Sequence, residues 1–132
     1  MYIRFVSERK ASDTSARLGI FDAAYSLKLT GSLPYSDQDR LEELLHWFET
    51  NLPIPSKFSR STSKGKYRRN SKGISWLKDS SEEVVSRCFD LKTFLEDHDE
   101  QISVLRENRL GYILYEDEHQ IVAEPFSDTK SA

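Results

Sequence analysis

Over 36–52 and again over 81–97 the apolar side chains recur at helical spacing, and after Asp99 they alternate. This switch of period constrains the fold more than any other feature. A helix buries one face with a repeat of about 3.6 residues and a strand does so with a repeat of 2, so a segment patterned for one cannot bury its apolar side as the other. In "SLPYSDQDRLEELLHWFETNLP", Leu41, Leu44, Leu45 and Phe48 form one stripe. Ser36 and Asp39 resemble a capping box, and Pro53 stops the helix. A further helix is predicted over 81–97, with Val84, Val85, Cys88, Leu91 and Leu95 facing inward and Ser80 or Ser81 as its cap. Upstream, "SARLGIFDAAYSLKLTG" carries Leu18, Phe21 and Tyr25 at the same spacing. Thr14 or Ser15 suits its start, Gly31 its end, and Gly19 falls inside.

The alternating stretches predict strands at 101–107, 111–116 and 119–126, with "EDEH" as a tight hairpin between the last two and "ENRLG" as the turn before them. "YIRFV" (2–6) predicts a strand at the start, followed by a polar turn over 7–14. The predicted order is β-α-α-α-β-β-β: an α+β fold, with three helices packed on one face of a three- or four-stranded, mainly antiparallel sheet. At 132 residues and 37% hydrophobic the chain suits a single domain with its own core, spanning 1–126, with 127–132 as a flexible tail. A lone cysteine, Cys88, excludes an intrachain disulfide, and its apolar setting predicts a buried structural thiol. The opening "MYIRFV" lacks a signal-peptide pattern and no apolar run is long enough for a membrane helix, so a cytoplasmic address and no membrane partner are expected.

Between the second and third helices lies a loop, at about 53–73, with little periodicity. Within 57–78 the chain carries eight Lys or Arg and no Asp or Glu. The whole sequence has 19 basic and 22 acidic residues, which leaves eleven basic against twenty-two acidic elsewhere. Lys57, Arg60, Lys64, Lys66, Arg68, Arg69 and Lys72 predict an anion-binding segment, and the interleaved Phe58 and Tyr67 suit stacking or packing. The expected partner is a nucleic acid, a nucleotide or an acidic protein surface. An acidic remainder repels a long phosphate backbone and favours a small footprint. Two other readings compete. The segment can lie across the acidic clusters at 96–100 and 116–118, or Ser59, Ser61, Thr62, Ser63 and Ser71 can accept phosphate beside their basic neighbours. At the end of the segment, Trp76 and Leu77 are too apolar for water and are expected to pack on the third helix.

Other chemistry is poorly supported. His46, His98 and His119 are far apart, no zinc spacing is present, and neither metal nor cofactor is expected. Gly65 and Gly73 do not make a phosphate-cradling loop, and no Ser-centred nucleophile elbow is present. The cluster "YEDEHQ" (115–120) falls at a predicted turn, where polar residues belong. The leading expectation is a non-enzymatic binding or adaptor protein. The alternatives are a small Mg²⁺-dependent enzyme on nucleic acid, using Glu116, Asp117, His119 or Glu124, and a structural or regulatory protein acting through protein contacts. The stretches "GYILYEDEHQIVAEPF", "HWFETNLPIPSKFSRS" and "ISWLKDS" resemble a family of small uncharacterised bacterial proteins over most of the chain. The resemblance implies a stand-alone bacterial or phage-borne protein, and no activity, fold or site residue.

Overall fold

The computed structural model describes residues 1–10, 17–52 and 74–124. Among these the elements run β1 (Tyr2–Lys10), β2 (Arg17–Gly19), α1 (Ile20–Thr30), α2 (Tyr35–Asn51), β3 (Ile74–Lys78), α3 (Glu82–Glu96), β4 (Ile102–Glu107), β5 (Tyr112–Glu116) and β6 (Gln120–Glu124). The α+β class, the three helices and the antiparallel pairing agree with the patterning. The sheet has six strands rather than three or four, because β2 and β3 join it.

β1 is the hub. Along one edge it pairs with β4, from Tyr2↔Glu107 to Ser7↔Ile102. Two strands share its other edge: β3 at Tyr2 and Ile3, and β2 at Val6 and Lys10. β6 then pairs with β3 and β5 with β6, so the lateral order is β4-β1-β3-β6-β5. β1 outruns the predicted 2–6, and the first residue of its polar continuation is accommodated inside while Glu8 is exposed. Ser7 is fully buried and its hydroxyl donates to Glu100 at 2.5 Å. The first helix starts later than predicted: residues 17–19 are taken by the β1 edge, and Gly19 is the extended residue before α1 rather than a helix interior (φ −68°, ψ 160°). Gly31 ends α1 in the left-handed conformation, as expected (φ 65°).

The outermost strands, β4 and β5, are consecutive in the chain. Crossing β1, β3 and β6 would take four inter-strand spacings, about 19 Å if the sheet were flat. The five steps from Glu107 to Tyr112 reach at most about 18 Å, and these residues lie toward opposite ends of the sheet. The sheet must therefore curl. "ENRLG" is a connection between the two outer strands, not a turn between paired ones, and its Leu110 is buried in the concave face.

Alternation along the strands divides the core in two. Ile3, Phe5, Leu77 and Ile102 meet the helices at Leu41, Leu45, Val84, Cys88, Leu91 and Leu95. On the opposite face Ile74, Trp76, Leu110, Ile121 and Ala123 pack together, with Tyr2 and Leu105 against them. Leu77 thus joins the core that holds α3, as expected, whereas Trp76 faces the other way and packs inside the curl. The predicted capping box of α2 is also absent: Pro34 is its cap residue and Ser36 lies within its first turn, while the apolar stripe is buried as read. Tyr25 OH donates to Glu49 at 2.5 Å, and Phe21 meets Phe48 edge-on, tying α1 to α2.

Candidate functional site

The last turn of α2, the start of α3 and the β5–β6 turn converge on a cleft of about 340 Å³. Its lining includes Trp47, Asn51, Ser81, Glu83, Glu118 and His119. Asn51 closes the helix end by donating its side-chain amide to the Trp47 carbonyl at 2.8 Å. The Arg87 guanidinium lies over the Trp47 ring, 4.8 Å from its centre, and is paired with Glu83 at 3.6 Å. From this rim the chain passes through Leu52 into the basic segment.

Lys57, Phe58, Arg60, Lys64, Lys66, Tyr67, Arg68, Arg69 and Lys72 lie outside the described residues. The eighth basic residue of the 57–78 stretch is committed elsewhere: Lys78 sits in β3 and pairs with Glu116 at 2.6 Å.

The hairpin acids are placed by the turn. Asp117 Oδ1 accepts the backbone N–H groups of His119 (2.8 Å) and Gln120 (3.0 Å), and Oδ2 accepts Tyr115 OH at 2.6 Å. Burial works to raise the Asp117 pKa, but the hydrogen bonds from Tyr115, His119 and Gln120 outweigh it and hold the carboxyl below its usual range. Tyr115, bonded to that carboxylate, is raised. Asp117 is therefore an anchored turn residue. Glu116 stands opposite Ile121 and Glu124 opposite Tyr112, so these two carboxylates lie at opposite ends of the hairpin and do not face each other. Among the described residues no group of three or more His, Cys, Asp or Glu is arranged to hold a metal ion.

His98 belongs to the far end of α3. Its Nδ1 lies 2.8 Å from the Phe94 carbonyl, its Nε2 lies 3.3 Å from Asp37, and its ring stacks on Phe94. The carbonyl raises its pKa, burial opposes that, and Asp37 and Asp97 add to the rise. The pair joins α3 to the start of α2 and is structural. In the neighbouring acidic cluster, Glu96 is paired with Lys92 and Glu100 accepts from Ser7. His46 is an exposed residue of α2.

Cys88 is fully buried on α3, and burial pushes its thiol pKa up. It should resist a thiol-specific reagent such as DTNB in the native protein and react stoichiometrically once the protein is unfolded in guanidinium. Rapid native labelling would contradict the packing.

The feature sequence reasoning missed is a contact within the cleft. Ser81 Oγ lies 3.0 Å from His119 Nδ1, joining residues 38 positions apart. No local spacing signals such a pair, because only the docking of the β5–β6 turn on the start of α3 creates it. Comparison with protein-family models, curated proteins and solved structures found no match. Among the described residues no helix is long and apolar enough to cross a membrane.

Proposed function

We propose that this is a small binding or adaptor protein, cytoplasmic in setting, that recognises an anionic partner through its basic segment. The carrying observation is the partition of charge: eight Lys or Arg without a carboxylate in 57–78, against eleven basic and twenty-two acidic residues elsewhere. With Lys78 held by Glu116, recognition rests on residues 57–72, chiefly Arg60, Lys66, Arg68 and Arg69, with Tyr67 as a stacking or packing group. A partner with phosphates fits best, because arginine forks grip phosphate oxygens in pairs. The acidic remainder of the chain repels a long polyanion, which favours a nucleotide, a strand end or a short single strand. A Mg²⁺ enzyme built on the hairpin gains no support, since Glu116 is ion-paired and Asp117 holds the turn. A bacterial or phage-borne setting rests on the sequence resemblance alone.

Fluorescence anisotropy with labelled single-stranded and duplex oligonucleotides, and with a polyglutamate peptide, tests this reading across a salt series. The comparison is a variant with Arg60, Lys66, Arg68 and Arg69 changed to Ser. Binding should weaken with salt at a slope of about −0.9 per phosphate contact on duplex, roughly −4 for four contacts, and the variant should lose it. Binding to polyglutamate alone would make the partner an acidic protein. If the folded protein binds none of these probes at low salt, the proposal is wrong.

A further inference from the structure

Ser81 occupies the residue before α3 but does not cap it: its hydroxyl makes no hydrogen bond to the helix amides. A serine at this position ordinarily turns its oxygen onto the second or third amide of the helix. Here Oγ is drawn away, with two acceptors in reach of its single proton: His119 Nδ1 at 3.0 Å and, at the longer distance of 3.3 Å, the Glu118 carbonyl. On the other side of the imidazole, Nε2 lies 4.0 Å from Glu118 Oε1. At that distance the carboxylate makes no hydrogen bond to the ring; in the tautomer with the proton on Nε2, Nδ1 accepts from Ser81. Val85 N–H donates to the Ser81 carbonyl at 3.0 Å, so the amides of Glu82, Glu83 and Val84 begin the helix without an intrahelical partner. All of this opens on the 340 Å³ cleft beside Trp47.

We propose that Ser81 and His119 form a nucleophile–base pair that hydrolyses small carboxylic esters in this cleft. Ser81 Oγ bonds to the ester carbonyl carbon while its proton passes to His119 Nδ1. The amides at the start of α3 stabilise the negative charge that develops on the carbonyl oxygen. The intermediate collapses with rupture of the bond to the alcohol oxygen, which leaves with the proton from His119. Water, deprotonated by His119, then attacks the acyl group, releases the carboxylic acid and restores Ser81. Glu82 and Glu118 around the opening select against anionic esters, with Glu83 paired to Arg87, so the substrate is uncharged or cationic, with its acyl part beside Trp47. This activity goes beyond the binding role and does not depend on the basic segment.

The test is hydrolysis of p-nitrophenyl acetate by the full chain and by Ser81→Ala and His119→Gln, together with labelling of the folded wild type by a fluorophosphonate and mapping of the modified peptide. The wild type should exceed both variants by about a hundredfold, the usual contribution of a positioned base. The label should sit on Ser81 and be lost in His119→Gln. Ser81→Ala retains His119, so background hydrolysis by the imidazole alone remains in that variant. Equal rates in wild type and Ser81→Ala, or no label on the Ser81 peptide, would overturn the proposal. The labelling arm needs no substitution, so a variant that folds poorly does not blunt the test.

Discussion

Trp76→Ala should lower the free energy of unfolding by about 3–5 kcal/mol, the usual cost of removing a buried aromatic side chain. Trp76 is 3% exposed and fills the concave face of the curled sheet beside Ile74, Leu110, Ile121 and Ala123. Small domains are stable by only about 5–15 kcal/mol, so this one change removes a large share of the total. Urea unfolding measures it, and a double-mutant cycle locates it. Trp76→Ala should couple to Leu110→Ala, whose side chain shares the cluster, and add independently to Leu91→Ala on α3. The reverse pattern would mean that Trp76 packs on the helices, as the sequence alone suggests.

The second large effect concerns Arg4, whose side chain is partly buried. The β1–β3 ladder stops after Tyr2↔Lys78 and Ile3↔Leu77, and just past the break Arg4 Nη1 donates to the Ser75 carbonyl at 3.2 Å. Its guanidinium lies 3.8 Å from the position a Gly19 Cβ would take, and so bridges the notch where β2 and β3 leave the edge of β1. Burial lowers its pKa to about 10, with Asp22 opposing that, so the charge is held in the fold at a cost. Arg4→Ala removes a hydrogen bond and the packed stem together and should destabilise by about 2–4 kcal/mol. Arg4→Met keeps the stem and discards the charge, and should fall within about 1 kcal/mol of wild type, because an apolar replacement avoids the desolvation cost. Chemical denaturation of the three proteins side by side gives the answer. An equal loss in both variants would show that the charge itself holds the notch together.

The helices were legible because their stripes are long. Leu41, Leu44, Leu45 and Phe48 define a face over two turns, and Val84, Cys88, Leu91 and Leu95 over three. β3 was not legible, because its five residues are covered on both faces and so show little alternation of polarity. Leu18 fits the helical spacing of α1, yet Arg17–Gly19 pairs with β1, and such an overlap is settled by the strand edge rather than by local propensity. Ser81 reads from sequence as a helix cap, and His119 as part of a hairpin turn. Each assignment places its residue at the right point in the chain, but the Ser81 hydroxyl makes no cap bond, and neither assignment indicates that the two side chains meet.

The sequence by itself determined the α+β class, the faces of α2 and α3, the hairpin held by Asp117, and the gathering of positive charge in 57–78, all of which follow from near neighbours in the chain. Tertiary structure alone decided that β1 is the hub, that the sheet curls around Trp76 and Leu110, that Lys78 pairs with Glu116, and that Ser81 meets His119. The physical reason is range. Periodicity and turn chemistry act over a few residues, whereas strand order depends on which edges and apolar faces remain to be covered once the local elements have formed.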